Sequence, residues 1–347
     1  MEIDKFIIHK SETILAALSK INQISDTQIL TIFVIDDNGT LIGSLTDGDI
    51  RRSLISGIAL TDSVAQVMCT NFHYISNIND YEKIRFLKSM KLKIAPVLSD
   101  DGTIKDLLDL KSMRAILPMD AVLMAGGQGL RLKPHTNNIP KPLLDLAGKP
   151  IIAHNIDRLI KYGVRDFHVS VNCMKSQIKE YLNKAYKHIN IHYIEEKIPL
   201  GTIGSVGLVK KFVHNDVLVM NADILTNIDF DSFFYQHKET DSDMLVATSN
   251  VRVDVPYAVL NVSSDKVDSL TEKPTYTYHS NAGIYLIKNE CINLIPGGQS
   301  FDATDFVALL IDHKKNVRHF PIMGYWLDIG TPQSYAKAKA DVNYVRF

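Results

Sequence analysis

The stretch Asp120-Ala121-Val122-Leu123-Met124-Ala125-Gly126-Gly127-Gln128-Gly129-Leu130-Arg131-Leu132-Lys133-Pro134 is a short apolar run that leads straight into a glycine-rich loop. The run predicts a buried strand. The loop lets backbone N–H groups come close to an anion, because glycine carries no Cβ. Two phosphate-binding patterns are excluded. A P-loop needs G-x-x-x-x-G-K-[ST], and the dinucleotide fingerprint needs a third glycine where Leu132 stands. The informative residue is Arg131, directly after the glycines, whose guanidinium can hold phosphate oxygens in pairs while loop amides hold the others. Ten positions on, Lys141 lies between Pro140 and Pro142, which restrict the local backbone.

Downstream, Gly148-Lys149-Pro150 predicts the start of a helix running from Ile151 to Tyr162 and closed by Gly163. Upstream, the texture is different. Val34-Ile35-Asp36-Asp37-Asn38-Gly39-Thr40-Leu41 is repeated as Val97-Leu98-Ser99-Asp100-Asp101-Gly102-Thr103-Ile104, displaced by 63 positions. Each copy reads as a strand, an acidic turn with glycine, and a second strand. Helical spacing precedes each, in Ile14, Leu15, Leu18 and Ile21 and again in Ile84, Leu87 and Met90. Two βαββα-like copies ending near Pro118 are expected.

Composition bounds what such a chain can do. Its 347 residues suit two domains, and 46% hydrophobic with 22% charged residues is the balance of a soluble globular protein. The net charge of -1 removes the basic excess that a nucleic-acid binder or polybasic membrane-surface protein would carry. The three cysteines, Cys69, Cys173 and Cys291, are isolated, so neither a cysteine zinc site nor a dithiol redox site is expected. The start, Met1-Glu2-Ile3-Asp4-Lys5-Phe6, has no basic and apolar leader pattern, and no run of about 18 apolar residues occurs. A cytoplasmic location is expected.

The repeat, together with Gly43-Ser44-Leu45-Thr46-Asp47-Gly48-Asp49-Ile50-Arg51, resembles a tandem pair of CBS domains over residues 1–118. The resemblance implies that Thr46 meets phosphate and Asp49 binds ribose hydroxyls of a regulatory nucleotide; the plainer reading is an N-cap and a first-turn acid. In the second copy Asp109 stands where Thr46 would fall and Ser112 where Asp49 would, so at most one good nucleotide site is implied.

From residue 119 to 347 the resemblance is to the sugar-1-phosphate nucleotidyltransferases, the nucleotide-sugar pyrophosphorylases. It rests on Ala125 to Pro134, Lys141-Pro142, Gly148-Lys149-Pro150, Leu200-Gly201-Thr202, Asn221-Ala222-Asp223, Glu272-Lys273-Pro274, Asn281-Ala282-Gly283-Ile284-Tyr285 and Trp326-Leu327-Asp328-Ile329-Gly330-Thr331-Pro332, in that order. Leu130, His135 and Asp145 depart from the usual Thr, Leu and Pro without removing a charged group. The implied fold is α/β, a Rossmann-like domain with a mixed, mainly parallel sheet, preceded by an α+β CBS pair.

The implied reaction joins an NTP and a sugar 1-phosphate into an NDP-sugar and pyrophosphate. Asp223 and Asp328 would hold Mg²⁺ or Mn²⁺, and Arg131 and Lys141 would neutralise the triphosphate. Lys273 would contact the sugar phosphate, with Glu272 and Asn281 on sugar hydroxyls. The backbone of Ala125, Gly126, Gly127, Gly129 and Gly201 would approach the nucleotide. Trp326 is expected to pack in the core. The domain order looks most like bacterial glucosamine- or mannose-1-phosphate guanylyltransferases, which makes GTP the first choice and a homo-oligomer the expected assembly. Two other readings are open. One is an inactive regulatory subunit that binds nucleotide-sugar. The other is a glycosyltransferase of similar architecture, for which Asn221-Ala222-Asp223 offers one acid rather than Asp-x-Asp.

Overall fold

The computed structural model describes residues 2–78, 80–187 and 189–345. It divides into two units, residues up to Ile116 and residues from Leu117 onward. In the first unit, β1 (Ile7–His9), α1 (Ile14–Gln23), β2 (Thr31–Ile35), β3 (Leu41–Thr46) and α2 (Asp47–Ile55) follow the order expected of the first copy. Helix α1 buries Ile14, Ala17 and Ile21, the positions one helical face brings together, and Thr13 caps it by accepting from the Ala16 N–H at 3.2 Å. The second copy supplies α3 (Tyr81–Ser89), β4 (Ile94–Leu98) and β5 (Ile104–Asp109).

The repeat holds down to register. β2 pairs with β3 through Thr31↔Thr46 and Val34↔Gly43, and β4 with β5 through Ile94↔Asp109 and Val97↔Asp106, 63 positions on, with the same slip after Val34 and after Val97. Ile75 takes the parallel place beside Val97 that Ile8 takes beside Val34. The two turns meet, Thr40 bridging Thr103 and the Leu41 N–H donating to the Gly102 carbonyl at 3.0 Å.

The second copy nevertheless falls short of βαββα. Its first strand shrinks to the bridge at Ile75, and no helix follows β5. Asp109 accepts from the Ser112 N–H at 3.0 Å as a cap would. Beyond it the chain runs on without helix, and Met113 and Ile116 are drawn into the core.

Gly102 has φ +81°, and a Cβ there would stand 3.0 Å from the Thr40 methyl. Gly102→Ala is therefore expected to lower stability by about 1–2 kcal/mol, read as a shift of the denaturant midpoint. An unchanged midpoint would mean that the turn contact carries no strain.

In the second unit β6 (Asp120–Met124) leads into the glycine loop. The short pair β7 (Asp145–Leu146) and β8 (Lys149–Pro150) precedes α4 (Ile151–Lys161), followed by β9 (Asp166–Val171), α5 (Lys175–Ala185), β10 (Asn190–Glu195), β11 (Asp216–Asn221) and β12 (Ile224–Thr226). Beyond them come α6 (Phe230–Glu239), β13 (Met244–Asp254), β14 (Val259–Ser263), β15 (Lys266–Thr271), β16 (Thr275–Lys288) and α7 (Asn289–Ile292). Helix α8 (Ala303–Asp312), β17 (Val317–Pro321), β18 (Trp326–Asp328) and α9 (Pro332–Asp341) complete the unit.

Seven strands form one sheet in the order β10-β9-β6-β11-β16-β13-β17, and of these β16 runs antiparallel to both neighbours. The sheet is thus mixed and mainly parallel, as expected. The chain steps from β6 to β9 and β10 on one side, then returns with β11 on the other side of β6. That reversal opens a crevice beyond the C-terminal ends of β6 and β11, where open α/β sheets bind ligands. One core cluster covers a face of the sheet and includes Val122, Val219, Ile287 and Phe306.

Strands β13 and β16 outrun the sheet. Met244 to Thr248 are buried, while Asn250 to Asp254 and the hairpin β14–β15 are exposed as an arm. Among the described residues no helix is long and apolar enough to cross a membrane.

Candidate functional site

The crevice is a cleft of about 700 Å³, within the range of small-molecule sites. Its walls come from distant segments: Gly126, Gly127, Gln128 and Arg131 after β6, Asn221 at the end of β11 and Asp223 just beyond it, Asn281 to Gly283 on β16, and Trp326 and Asp328 on β18. The two acids 105 positions apart are brought side by side by backbone pairing. Strand β12 pairs antiparallel with β18, placing Ile224 opposite Asp328, and the Ile329 N–H donates to the Asp223 carbonyl at 3.1 Å.

A small apolar cluster beneath the cleft fixes the charged groups. Leu132, Leu144, Leu225 and Ile329 are buried together. Each lies next to or within three positions of Arg131, Lys141, Asp223 or Asp328, so packing in one cluster locates four polar side chains above it.

The electrostatics follow from that crowding. Lys141 is nearly buried and pairs with Asp223. Arg131 lies against Gly330, where a Cβ would stand 3.1 Å from its guanidinium and 2.8 Å from an Asp328 oxygen. Burial and the neighbouring Asp223 push the Asp328 carboxyl above its usual range, against the opposing pull of Lys141 and Arg131. Two hard oxygen donors on half-buried carboxylates, raised in energy by each other, make a pair that a divalent cation would relieve. Asp223 and Asp328 fit an oxygen-coordinated metal that keeps its other positions for water and phosphate.

In the metal-free chain the raised Asp328 bears in opposite senses on stability and on metal binding. The folded state holds this proton more tightly than the unfolded state, so the stability contribution is full below the unfolded pKa and is lost as pH rises through the folded one. Metal binding needs the ionised form. Divalent-cation affinity is therefore expected to fall on acidification at a pH above ~3.9, where an exposed aspartate titrates. Calorimetry of metal binding across pH would check this, and an acid limb at or below that value would contradict it.

Several cleft positions owe their residue type to the protein itself. Gly201 has φ +73°, and a Cβ there would meet the Phe301 carbonyl at 2.6 Å; Gly126 leaves room for the Glu196 carboxylate, also 2.6 Å from such a Cβ. Both glycines line the cleft, but the near groups that require them are protein atoms rather than ligand. Gly127, with open space on its missing side chain, is the one through which a ligand could approach the loop. Ala125 is buried, its N–H donating to Ser170. Gly129 turns the chain at φ +63° toward Lys141. Asn281 donates to the Tyr285 hydroxyl at 2.8 Å and accepts from the Gly283 N–H at 2.9 Å.

Some expectations need correction or relocation. Trp326 does not pack in the core; it is half-buried and lines the cleft, its indole N–H donating to the Ala282 carbonyl at 2.9 Å. Glu272 and Lys273 are exposed in the turn between β15 and β16 and do not line the cleft. Thr46 and Asp49 form a reciprocal capping box on α2, and Asp49 also pairs with Arg52 at 2.6 Å. Their polar atoms are thereby engaged within the chain.

Two residues of the site, Asn155 and Asp302, carry no signal in the sequence pattern, and Glu196 belongs to the Glu195-Glu196-Lys197 segment that fits the guanylyltransferase resemblance. Asn155 on α4 is buried and donates to the carbonyls of Ala222 and Ile224, at 3.3 and 2.9 Å, on either side of Asp223. Asp302 accepts from the Thr202 N–H at 2.9 Å, and Glu196 accepts from the Leu200 N–H at 3.2 Å; both line the cleft.

The comparisons with known proteins converge on this domain. The family model described as nucleotidyl transferase matches residues 120–344, and a CBS domain model matches residues 1–56. A mannose-1-phosphate guanylyltransferase of Mycobacterium tuberculosis is 32% identical over 234 residues, 65% of this chain and 64% of that protein. One of Debaryomyces hansenii is 30% identical over 229 residues, 62% of each. The bifunctional protein GlmU of Methanococcus maripaludis is 34% identical over 232 residues, 64% of this chain and 54% of that one. The chain thus spans a little over half to about two thirds of the length of the curated relatives it matches. Among solved structures, HddC from Yersinia pseudotuberculosis matches with TM-score 0.52 at 29% identity, and at 28% in its complex with GMP-PN, over 65% of this chain and 99% of HddC. With the family model matched along residues 120–344, this chain belongs to the nucleotidyl transferase family and carries a CBS domain at its N-terminus.

Proposed function

We propose that the chain transfers a nucleotidyl group, guanylyl before others, from an NTP to a hexose or aminohexose 1-phosphate, releasing pyrophosphate. The observation that carries this is the juxtaposition of Asp223 and Asp328 by β12 and β18, with Lys141 and Arg131 beside them at the mouth of the glycine loop. Guanine is favoured by the names of the relatives and by the GMP-PN complex of HddC. Nucleotidyltransferases of this kind generally use a divalent metal ion. We take it to be Mg²⁺ (or Mn²⁺).

A sugar-phosphate oxygen forms the new bond to the α-phosphorus as the bond to the β-phosphate oxygen breaks. The attacking phosphate is already ionised at neutral pH, its second pKa being about 6, so no protein base is required. The residues act by position and charge. Arg131 and the open side of Gly127 receive the triphosphate, Lys141 stabilises charge building on the departing pyrophosphate, and Asn281 and Trp326 border the sugar. When held by Asp223 and Asp328, the metal supplies charge neutralisation between two polyanions. Glu272 and Lys273 are assigned to the sugar phosphate on the family resemblance alone. For residues 1–118 we propose a regulatory and pairing role as tandem CBS modules, with Thr46 freed for a nucleotide only if its cap opens.

Pyrophosphate release from GTP, UTP, CTP and dTTP, each with mannose, glucose and glucosamine 1-phosphate, tests the reading. Turnover with GTP is the expected result. Release of GDP or UDP in place of pyrophosphate would make the protein a glycosyltransferase, and no turnover in any pairing would leave it a binding subunit.

A further inference from the structure

At the other end of β11 and β16, away from the cleft, lies a second pocket of about 730 Å³. Four lysines line it, Lys210, Lys211, Lys238 and Lys288, against two acids, Asp216 and Glu290. The acids are already answered. Lys238 pairs with the buried Asp216, Lys315 stands 3.8 Å from Glu290, and Lys288 is held by Asp241 at 2.7 Å and Asp243 at 3.6 Å. Lys210 and Lys211 have no ion-pair partner among the described residues. Two like charges adjacent in sequence on one pocket wall repel each other and are relieved by an anion between them.

The wall that carries them is held in shape. Phe212 is buried and packs edge-on against His168, at 5.0 Å between ring centres, which anchors the segment while leaving Lys210 and Lys211 exposed. The following turn is clamped to the end of β16, because the Asn289 N–H donates to the Asn215 carbonyl at 2.8 Å and its side chain donates to the His214 carbonyl. The side-chain amides of Asn215 and Asn293, also in the lining, add neutral donors.

We infer that this pocket binds a small phosphorylated anion carrying at least two negative charges. Ammonium groups and amide donors without an exposed aromatic platform suit phosphate oxygens rather than a base, and the volume is that of a metabolite rather than of a polymer track. The site does not depend on what the cleft does. It does share the cleft's framework: β11 runs from Asp216 in this pocket to Asn221 in the cleft, and β16 from Lys288 back to Ala282.

The test is calorimetric titration of pyrophosphate into the full chain, in EDTA and at low salt. Wild type is compared with Lys210→Ala/Lys211→Ala, with Asn215→Asp and with Arg131→Ala, the last reporting any binding in the cleft. Binding of one pyrophosphate that persists in Arg131→Ala, weakens roughly tenfold or more in the double lysine variant and weakens in Asn215→Asp is the expected result. The altered side chains are exposed, and circular dichroism verifies that the variants are folded. An unchanged isotherm in the double variant, or no binding that persists in Arg131→Ala up to ~10 mM, overturns the site.

Discussion

Asp223→Ala is expected to lower pyrophosphate release by at least on the order of 10³ while the chain stays folded. The fold survives because what holds this turn does not use the carboxylate. Asn155 grips the flanking carbonyls, the Ile329 N–H takes the Asp223 carbonyl, and Ile224 and Leu225 are buried beyond it. What is lost is one of two oxygen donors and the counter-charge of Lys141. Asp328→Ala should cost about the same. Because the pair acts as one unit, the double variant should be little worse than either single one. Initial rates with GTP and a sugar 1-phosphate, beside thermal melting curves, provide the check. More than a tenth of wild-type activity in either single variant would end the paired-acid assignment.

Lys141→Met is expected to reduce the rate by on the order of 10²–10³, the usual loss when one preorganised charge-stabilising group goes. Its position gives a second readout. Lys141 is one of two cations that pull the Asp328 carboxyl down against burial and Asp223. Without it the Asp328 pKa rises further. The protonated form, which cannot hold a cation, then persists to higher pH, so the acid limb of divalent-cation affinity, read by calorimetry, should move upward in Lys141→Met relative to wild type. A rate loss with an unmoved limb would show that Lys141 touches substrate without tuning the acids.

Much of this was legible because it is local. The strand, glycines and Arg131 lie within fifteen residues, and the helix after Pro150 begins where proline allows and ends before Gly163. The 63-residue repeat survives as register, down to the slip after Val34 and Val97. What was hidden depends on partners far along the chain. Asn155 reads as a lone polar residue in a helix until its amide is seen against carbonyls 67 and 69 positions away. The Asp302 carboxylate acts through Thr202, 100 positions distant. Motif order cannot say that Glu272 and Lys273 sit in an exposed turn, since that follows from how far β13 and β16 outrun the sheet. Trp326 was misplaced because a tryptophan amid apolar neighbours looks the same in a core as on a cleft wall.

The pairing of β12 with β18 also sets an order of events during synthesis. Arg131 leaves the ribosome 197 residues before Asp328. At about 5–20 residues per second, the phosphate loop exists for roughly 10–40 s before its second acid arrives. A chain that stalls or is clipped short of Trp326 keeps the loop and loses the partner acid. On the proposed chemistry, incomplete copies could occupy nucleotide without consuming it, and turnover would begin only once the last strand has been made and has docked.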